Sequence, residues 1–125
     1  MDIEKTIVVM RNAIKDFPTR YKHNEKMIKK LEQETQDLLH LIELKDLDVY
    51  KGFTVYKQLQ EVRKERRELK DENDLLRQVE GELRKMQKYV PRLNEGLGNI
   101  RKSKIYKTNR KYNFRIRKDL EEMLG

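Results

Sequence analysis

Residues 54–89 decide the fold, and their sequence is TVYKQLQEVRKERRELKDENDLLRQVEGELRKMQKY. Apolar side chains recur there at alternating spacings of three and four residues, the pattern of one narrow stripe along an α-helix. The stripe consists of Val55, Leu59, Val62, Leu69, Leu76, Val79, Leu83 and Met86. Such a helix would be roughly 54 Å long at about 1.5 Å per residue. A chain of this size cannot enclose it, so the stripe predicts pairing with a second helix.

A second stripe, between residues 19 and 44, predicts the partner helix. Its heptad positions are Ile28, Leu31, Thr35, Leu38 and Ile42. The link LKDLDVYKGF, residues 44–53, is short, and a short link makes consecutive helices antiparallel neighbours. The sequence therefore predicts an all-α fold built on an antiparallel coiled-coil helical hairpin.

The chain on either side of the hairpin is divided by its prolines. Residues 1–16 predict a short amphipathic N-terminal helix along the seam, ended by Phe17 and Pro18, because proline disfavours helical geometry in the residue before it. Pro91 ends the long helix in the same way, and residues 92–101 predict a short helix or a loop. The sequence therefore predicts two units in the whole chain. A helical hairpin or bundle spans residues 1–100, and a basic aromatic tail over residues 101–125 packs on it or extends from it.

Polar residues interrupt the stripe of the long helix. Arg66 falls on the apolar spacing between Val62 and Leu69, and the next such position is Glu72 or Asn73. A buried Asn or Arg in a helical seam lowers stability but can fix register and partner. The repeated spacing of three near these positions predicts a stammer that locally overwinds the supercoil.

Composition excludes several classes of function. Charged residues make up 42% of the chain, the formal net charge is +8, and cysteine is absent. Without cysteine there is no disulfide, thiolate zinc site or cysteine nucleophile, and the only serine, Ser103, lies in a charged stretch with no histidine nearby. We expect no enzyme activity, no cofactor, no metal and no small-molecule substrate. The apolar run Ile7–Met10 is too short for a membrane span, and the positive charge favours an acidic partner.

The tail RKSKIYKTNRKYNFRIRK, residues 101–118, has nine basic residues and no acidic one. Tyr112, Phe114 and Ile116 alternate with polar residues at the period of a strand, which predicts a small β-hairpin. Three interpretations stay open. The tail could contact nucleic acid through cations and stacked rings, or its aromatic residues could dock on the helices while the cations face water. It could also dock on the acidic flank of the second helix, which has six acidic residues and one basic residue between positions 31 and 48.

Three segments carry a family resemblance: DLLHLIEL at 37–44, KQLQEVRKERRELKDENDLL at 57–76 and NRKYNFRIRKDL at 109–120. They resemble small, mostly uncharacterised coiled-coil proteins of phages and prophages of Gram-positive bacteria. The resemblance implies a mobile-element protein in the bacterial cytoplasm that acts by occupying a target. That class includes inhibitors of host defence nucleases, such as anti-CRISPR proteins. The resemblance assigns no functional residues to this sequence.

These observations predict a non-enzymatic protein that binds nucleic acid or a nucleic-acid-handling host complex and forms a homo-oligomer. The alternative is a structural scaffold whose charges serve solubility. The candidate cations hold phosphates or an acidic protein groove, and the candidate rings supply stacking or anchor area. The cations are Arg63, Lys64, Arg66, Arg67, Arg101, Lys102, Lys104, Lys107, Arg110, Lys111, Arg115 and Arg117, and the rings are Tyr106, Tyr112 and Phe114.

Overall fold

The computed structural model describes residues 2–124, and within that range the protein is all-α. Its elements are α1 (Ile3–Leu44), α2 (Val49–Leu76), α3 (Glu80–Lys85), a 3₁₀ turn (Met86–Tyr89), α4 (Val90–Asn109) and a 3₁₀ helix (Lys118–Leu124). Met1 and Gly125, the outer ends of the two predicted units, lie outside the described range. The all-α prediction is therefore confirmed, whereas the supercoil and its stammer stay predictions.

A single helix, α1, replaces the two helices that were predicted before residue 45. It has 42 residues, about 63 Å at roughly 1.5 Å per residue, and it begins where Asp2 accepts a 3.1 Å hydrogen bond from the Lys5 amide. The predicted break at Phe17 and Pro18 is wrong, because α1 continues through Pro18 and buries its ring. An interior proline removes one backbone hydrogen bond and costs about 3 kcal/mol. Packing of both halves of α1 against other helices offsets that cost.

The C-terminal half of α1 packs against α2. Asp48 accepts a 2.7 Å hydrogen bond from the Lys51 amide and starts α2 at Val49, earlier than the predicted Thr54. Side-chain pairs between the helices run in opposite directions along the chain, Asn24 with Asn73 and Glu32 with Arg66. The two helices are therefore antiparallel neighbours joined by residues 45–48.

The predicted long helix ends early. The α2 helix stops at Leu76, a turn follows over residues 77–79, and α3 and the 3₁₀ turn carry the chain to Tyr89. Pro91 does not end a helix, since it lies in the first turn of α4, where a missing N–H costs nothing. Residues 92–101, predicted as a short helix or loop, belong to α4. The chain therefore returns along α1 in two main pieces, α2 and α4.

The N-terminal half of α1 packs against α4. Arg11 donates a 3.0 Å hydrogen bond from Nη1 to Asn94 Oδ1, and Arg101 donates from Nε to Glu4 Oε1 at 2.6 Å. These pairs again run in opposite directions, so α4 is antiparallel to α1. Leu97, at 1% exposure, is the most buried side chain of this contact. The boundary predicted between residues 100 and 101 falls inside α4.

The C-terminal tail does not form the predicted β-hairpin. Residues 101–109 are the last turns of α4, residues 110–117 have no regular structure, and no strand occurs between positions 2 and 124. Tyr112 and Phe114 pack edge to face with ring centroids 5.2 Å apart. An isolated two-stranded hairpin is only marginally stable, and residues 2–124 contain no further strand that could pair with one. No helix in residues 2–124 combines the length and apolarity that crossing a membrane requires.

Candidate nucleic-acid interface

The four candidate cations of α2 lie along one groove. Arg63, Lys64, Arg66 and Arg67 line a groove of about 1200 Å³ between α2 and α1. The α1 wall adds Lys29 and two acidic residues, Glu32 and Asp37. Five basic side chains thus face two acidic ones, and the groove has a positive balance.

The cations of this groove divide into two groups. Arg66 donates from Nε and Nη2 to Glu32 Oε1, at 3.2 and 3.0 Å, and Lys70 Nζ lies 3.9 Å from the same oxygen. Arg66 is therefore part of the contact between the helices, as its place on the apolar spacing predicted. Arg63, Lys64 and Arg67 are exposed. These three are available to an anionic ligand.

The cations of α4 are divided in the same way. Arg101 and Lys104 both contact Glu4 of α1, at 2.6 and 3.0 Å, and hold the end of α4 against the start of α1. The pKa of Glu4 is lowered, first by the hydrogen bond from Arg101 and then by the one from Lys104. Lys102 and Lys107 are exposed, as is Tyr106.

The candidate residues of the tail follow α4 directly. Arg117 pairs with Asp119 through hydrogen bonds of 3.1 and 2.9 Å, which lower the pKa of Asp119. Arg110, Lys111 and Arg115 are exposed.

The interpretation that the tail docks on the acidic flank of α1 is wrong. The tail begins near Glu4, whereas even the first residue of the acidic flank, Glu32, lies about 42 Å away along α1. The eight residues 110–117 extend at most about 29 Å.

The candidate residues therefore form two separate basic regions. Arg66 lies opposite Glu32, and Arg101 lies opposite Glu4. Glu4 and Glu32 are about 42 Å apart along α1 at roughly 1.5 Å per residue. The α4 and tail cations are sequential neighbours and share one end of the molecule, but they do not join the α2 cations in one patch.

Sequence reasoning missed the rest of the groove wall. Tyr56 and Gln60 precede Arg63 on α2 and line the same groove, together with Lys29 of α1. Tyr56, Gln60, Arg63 and Arg67 are spaced by four, three and four residues, which places them on one face of the helix. That spacing was available in the sequence as a second stripe beside the apolar one.

A polar cluster holds α1 and α2 together beside the groove. Arg20 makes a two-pronged ion pair with Glu72, in which Nη2 and Oε2 are 2.8 Å apart. Asn24 donates to Glu72 Oε1 at 3.0 Å and to Asn73 Oδ1 at 2.9 Å. The pKa of Glu72 is lowered, chiefly by Arg20 and then by Asn24. The cluster uses Glu72 and Asn73 together at the position where the stripe is interrupted.

Comparisons with protein-family models, with curated proteins and with solved structures find no match to this chain. Its class therefore rests on its own architecture, an all-α protein in which one long helix is paired with a helical return path.

Proposed function

We propose that this chain is a non-enzymatic binding protein whose basic surfaces bind nucleic acid. The observation that carries the proposal is the groove between α1 and α2, where Arg63, Lys64 and Arg67 are exposed beside Lys29. Cations grouped in this way neutralise phosphates and release counterions. The exposed cations of α4 and the tail supply a second contact region.

A salt titration tests the proposal. Binding of labelled mixed-sequence DNA and RNA to the full chain is followed by fluorescence anisotropy at several salt concentrations. For duplex DNA, the logarithm of the affinity should fall with the logarithm of salt by about 0.9 for each phosphate contact. Arg63→Ala, Lys64→Ala and Arg67→Ala together should weaken binding and lower this slope.

The chain offers a matched control for this triple variant. Lys22, Lys26 and Lys30 are exposed cations of α1 that do not line the groove. Changing these three to Ala removes the same net charge and should alter the slope much less. Equal losses from the two triple variants would mean that net charge alone drives binding. An absence of binding in dilute salt would contradict the proposal.

The same surface would also suit a second form of this proposal, in which the target is a host protein complex and not free nucleic acid. Here the chain acts in the cytoplasm of a bacterial host and occupies the nucleic-acid channel of a host complex, including a defence nuclease. A pull-down from nuclease-treated lysate separates the two forms. Partners that survive nuclease treatment and are lost with the Arg63, Lys64 and Arg67 changes favour occupation of a host complex. Partners that disappear with nuclease favour tethering by nucleic acid.

A structural scaffold is the second candidate, and exposed apolar residues at the link between α1 and α2 favour it. Leu44, Val49 and Tyr50 are all largely exposed, and Val49 is 91% exposed. In this form the α1–α2 hairpin supercoils as a coiled coil, and the chain self-associates through the exposed apolar residues of this link. Sedimentation should then show concentration-dependent oligomers that Leu44→Ser and Val49→Ser dissociate. A monomer at all concentrations would exclude this candidate.

A further inference from the structure

Tyr56 is the aromatic side chain of the groove between α1 and α2. Tyr56 is 56% exposed, and it lines the groove together with two half-buried leucines, Leu39 of α1 and Leu59 of α2. An aromatic ring held in a groove but open to solvent offers one face to a ligand.

The exposed cations of the groove follow Tyr56 along the same face. Arg63 lies seven residues after Tyr56 and Arg67 four residues later, so the three side chains share one side of α2. At roughly 1.5 Å per residue, these cations are about 10 and 16 Å from Tyr56 along the helix axis. Lys29 lies on the opposite wall. The groove thus has a ring at one end and a track of cations along its length.

We infer that the groove binds a single strand of nucleic acid, with one base stacked on Tyr56 and the following phosphates on Arg63 and Arg67. This inference rests on the proposed function and specifies its ligand. A ring beside a cationic groove is the arrangement by which proteins bind single strands without sequence preference. In a duplex the faces of the bases are already stacked on each other, so the ring of Tyr56 adds nothing to duplex binding.

The chain contains no tryptophan, so Tyr56→Trp creates a unique fluorescent reporter in the groove. Its emission is measured in the full chain during titration with a single-stranded oligonucleotide of about 12 nucleotides, a length within the usual range of such sites. The same titration is repeated with the matching duplex. The single strand should quench the indole by stacking, and the duplex should leave it nearly unchanged at equal occupancy.

Affinity measurements complete the test. Tyr56→Ala should weaken single-strand binding by about 5- to 150-fold, while Tyr56→Phe, which keeps the ring, should bind nearly as the natural chain does. Tyr50→Ala is the matched control, because Tyr50 is an exposed tyrosine of the same helix outside this groove. It should leave single-strand affinity unchanged.

Failure of this inference is distinguishable from failure of the proposed function. The inference is overturned if Tyr56→Ala binds single strands normally while Arg63→Ala and Arg67→Ala weaken binding, and the proposed function then stands. A duplex that binds at least as tightly as the single strand and equally quenches the indole also overturns it. Absence of binding to every nucleic acid overturns both. An acidic amphipathic peptide that quenches the indole when no oligonucleotide binds would replace both with a protein ligand.

Discussion

Asn24 of α1 donates a 2.9 Å hydrogen bond to Asn73 of α2, and both side chains are buried, at 3% and 2% exposure. Asn73 in turn donates from Nδ2 to the Tyr21 carbonyl oxygen at 3.1 Å. Asn73→Ala removes both bonds and leaves the Asn24 amide with fewer partners in a buried site. We expect urea unfolding to show a loss of about 1–3 kcal/mol.

Replacing both asparagines by leucine tests whether the pair fixes the register of α1 against α2. An apolar pair of similar size can restore stability, but it removes the requirement that these two positions meet. We expect Asn24→Leu with Asn73→Leu to recover stability relative to Asn73→Ala and to give mixed oligomers in light scattering. A uniquely folded species with the natural mass would show that the register is set elsewhere.

Acid should destabilise the contacts of Glu72 and Glu4 with their cationic partners. In each case the folded state lowers the carboxyl pKa, through Arg20 for Glu72 and through Arg101 for Glu4. The stabilisation is therefore present above the unfolded pKa of about 4.3 and is lost as pH falls through the lower folded value. The melting temperature should therefore decrease as the pH is lowered through this range.

Glu72→Gln supplies the control for the pH experiment. It cannot gain a proton, so its melting temperature should start lower at neutral pH and fall less steeply in acid than that of the natural chain. Identical pH slopes for the two chains would mean that the Arg20–Glu72 pair contributes nothing to the pH dependence.

Leu97 should be essential to the attachment of α4. It is 1% exposed in the contact between α4 and α1, and truncation of such a side chain usually costs about 2–5 kcal/mol. Leu97→Ala should show this cost in denaturant unfolding. Leu75→Ala is the control, because Leu75 is a helical leucine that is 75% exposed. Equal effects of the two changes would contradict the packing of α4 on α1.

Two glycines lie inside α4 without a packing reason. A Cβ atom added at Gly96 or Gly98 would meet no atom within 4 Å, and neither residue has a positive φ. Alanine loses less backbone entropy than glycine on forming a helix, so each change to Ala should stabilise the protein by about 0.5–1 kcal/mol. Thermal melts of Gly96→Ala and Gly98→Ala check this. Destabilisation would show that close approach of another chain requires the glycines.

Pro18→Ala should also stabilise the protein. Alanine restores the N–H that can bond to the Ile14 carbonyl within α1, and an interior proline costs about 3 kcal/mol relative to alanine. The proline ring is buried, so part of this gain is offset by lost contacts. We expect a net gain of about 1–2 kcal/mol in the free energy of unfolding. A net loss would mean that contacts of the ring outweigh the missing hydrogen bond.

The apolar stripes correctly predicted where α1 and α2 meet. Leu31 belongs to the stripe of α1, Val55 and Leu76 belong to the stripe of α2, and all three side chains are buried. Asn73 was also identified, as one of two residues at the interruption of the stripe. Its partner Asn24 was not, although it stands four residues before Ile28 and so continues the heptad spacing of its own helix. The break after Leu76 was missed because Val79 and Leu83 continue the same spacing.

Long-range packing explains the other errors. Local rules ended helices at Pro18 and Pro91, but packing of both halves of α1 against other helices offsets the local cost of Pro18, and Pro91 lies in the first turn of a helix. The alternation around Phe114 has the period of a strand, yet a strand needs a partner and none is present in residues 2–124. For the candidate site, charge pattern identified the cations. The apolar spacing indicated that Arg66 lies between the helices, and only the geometry shows that Arg101 serves a helix contact and that Tyr56 joins the groove.

The division of the return path into α2 and α4 has a consequence for cooperativity. The α2 helix pairs with α1 from Arg20 to Glu32 and α4 pairs with it from Glu4 to Arg11, with α3 also packed on α1. Local opening at one end need not break the contacts at the other. Amide hydrogen exchange should therefore resolve two foldons that share α1. A ligand bound between α1 and α2 would slow exchange in residues 20–76 and leave protection of α4 close to that of the free protein.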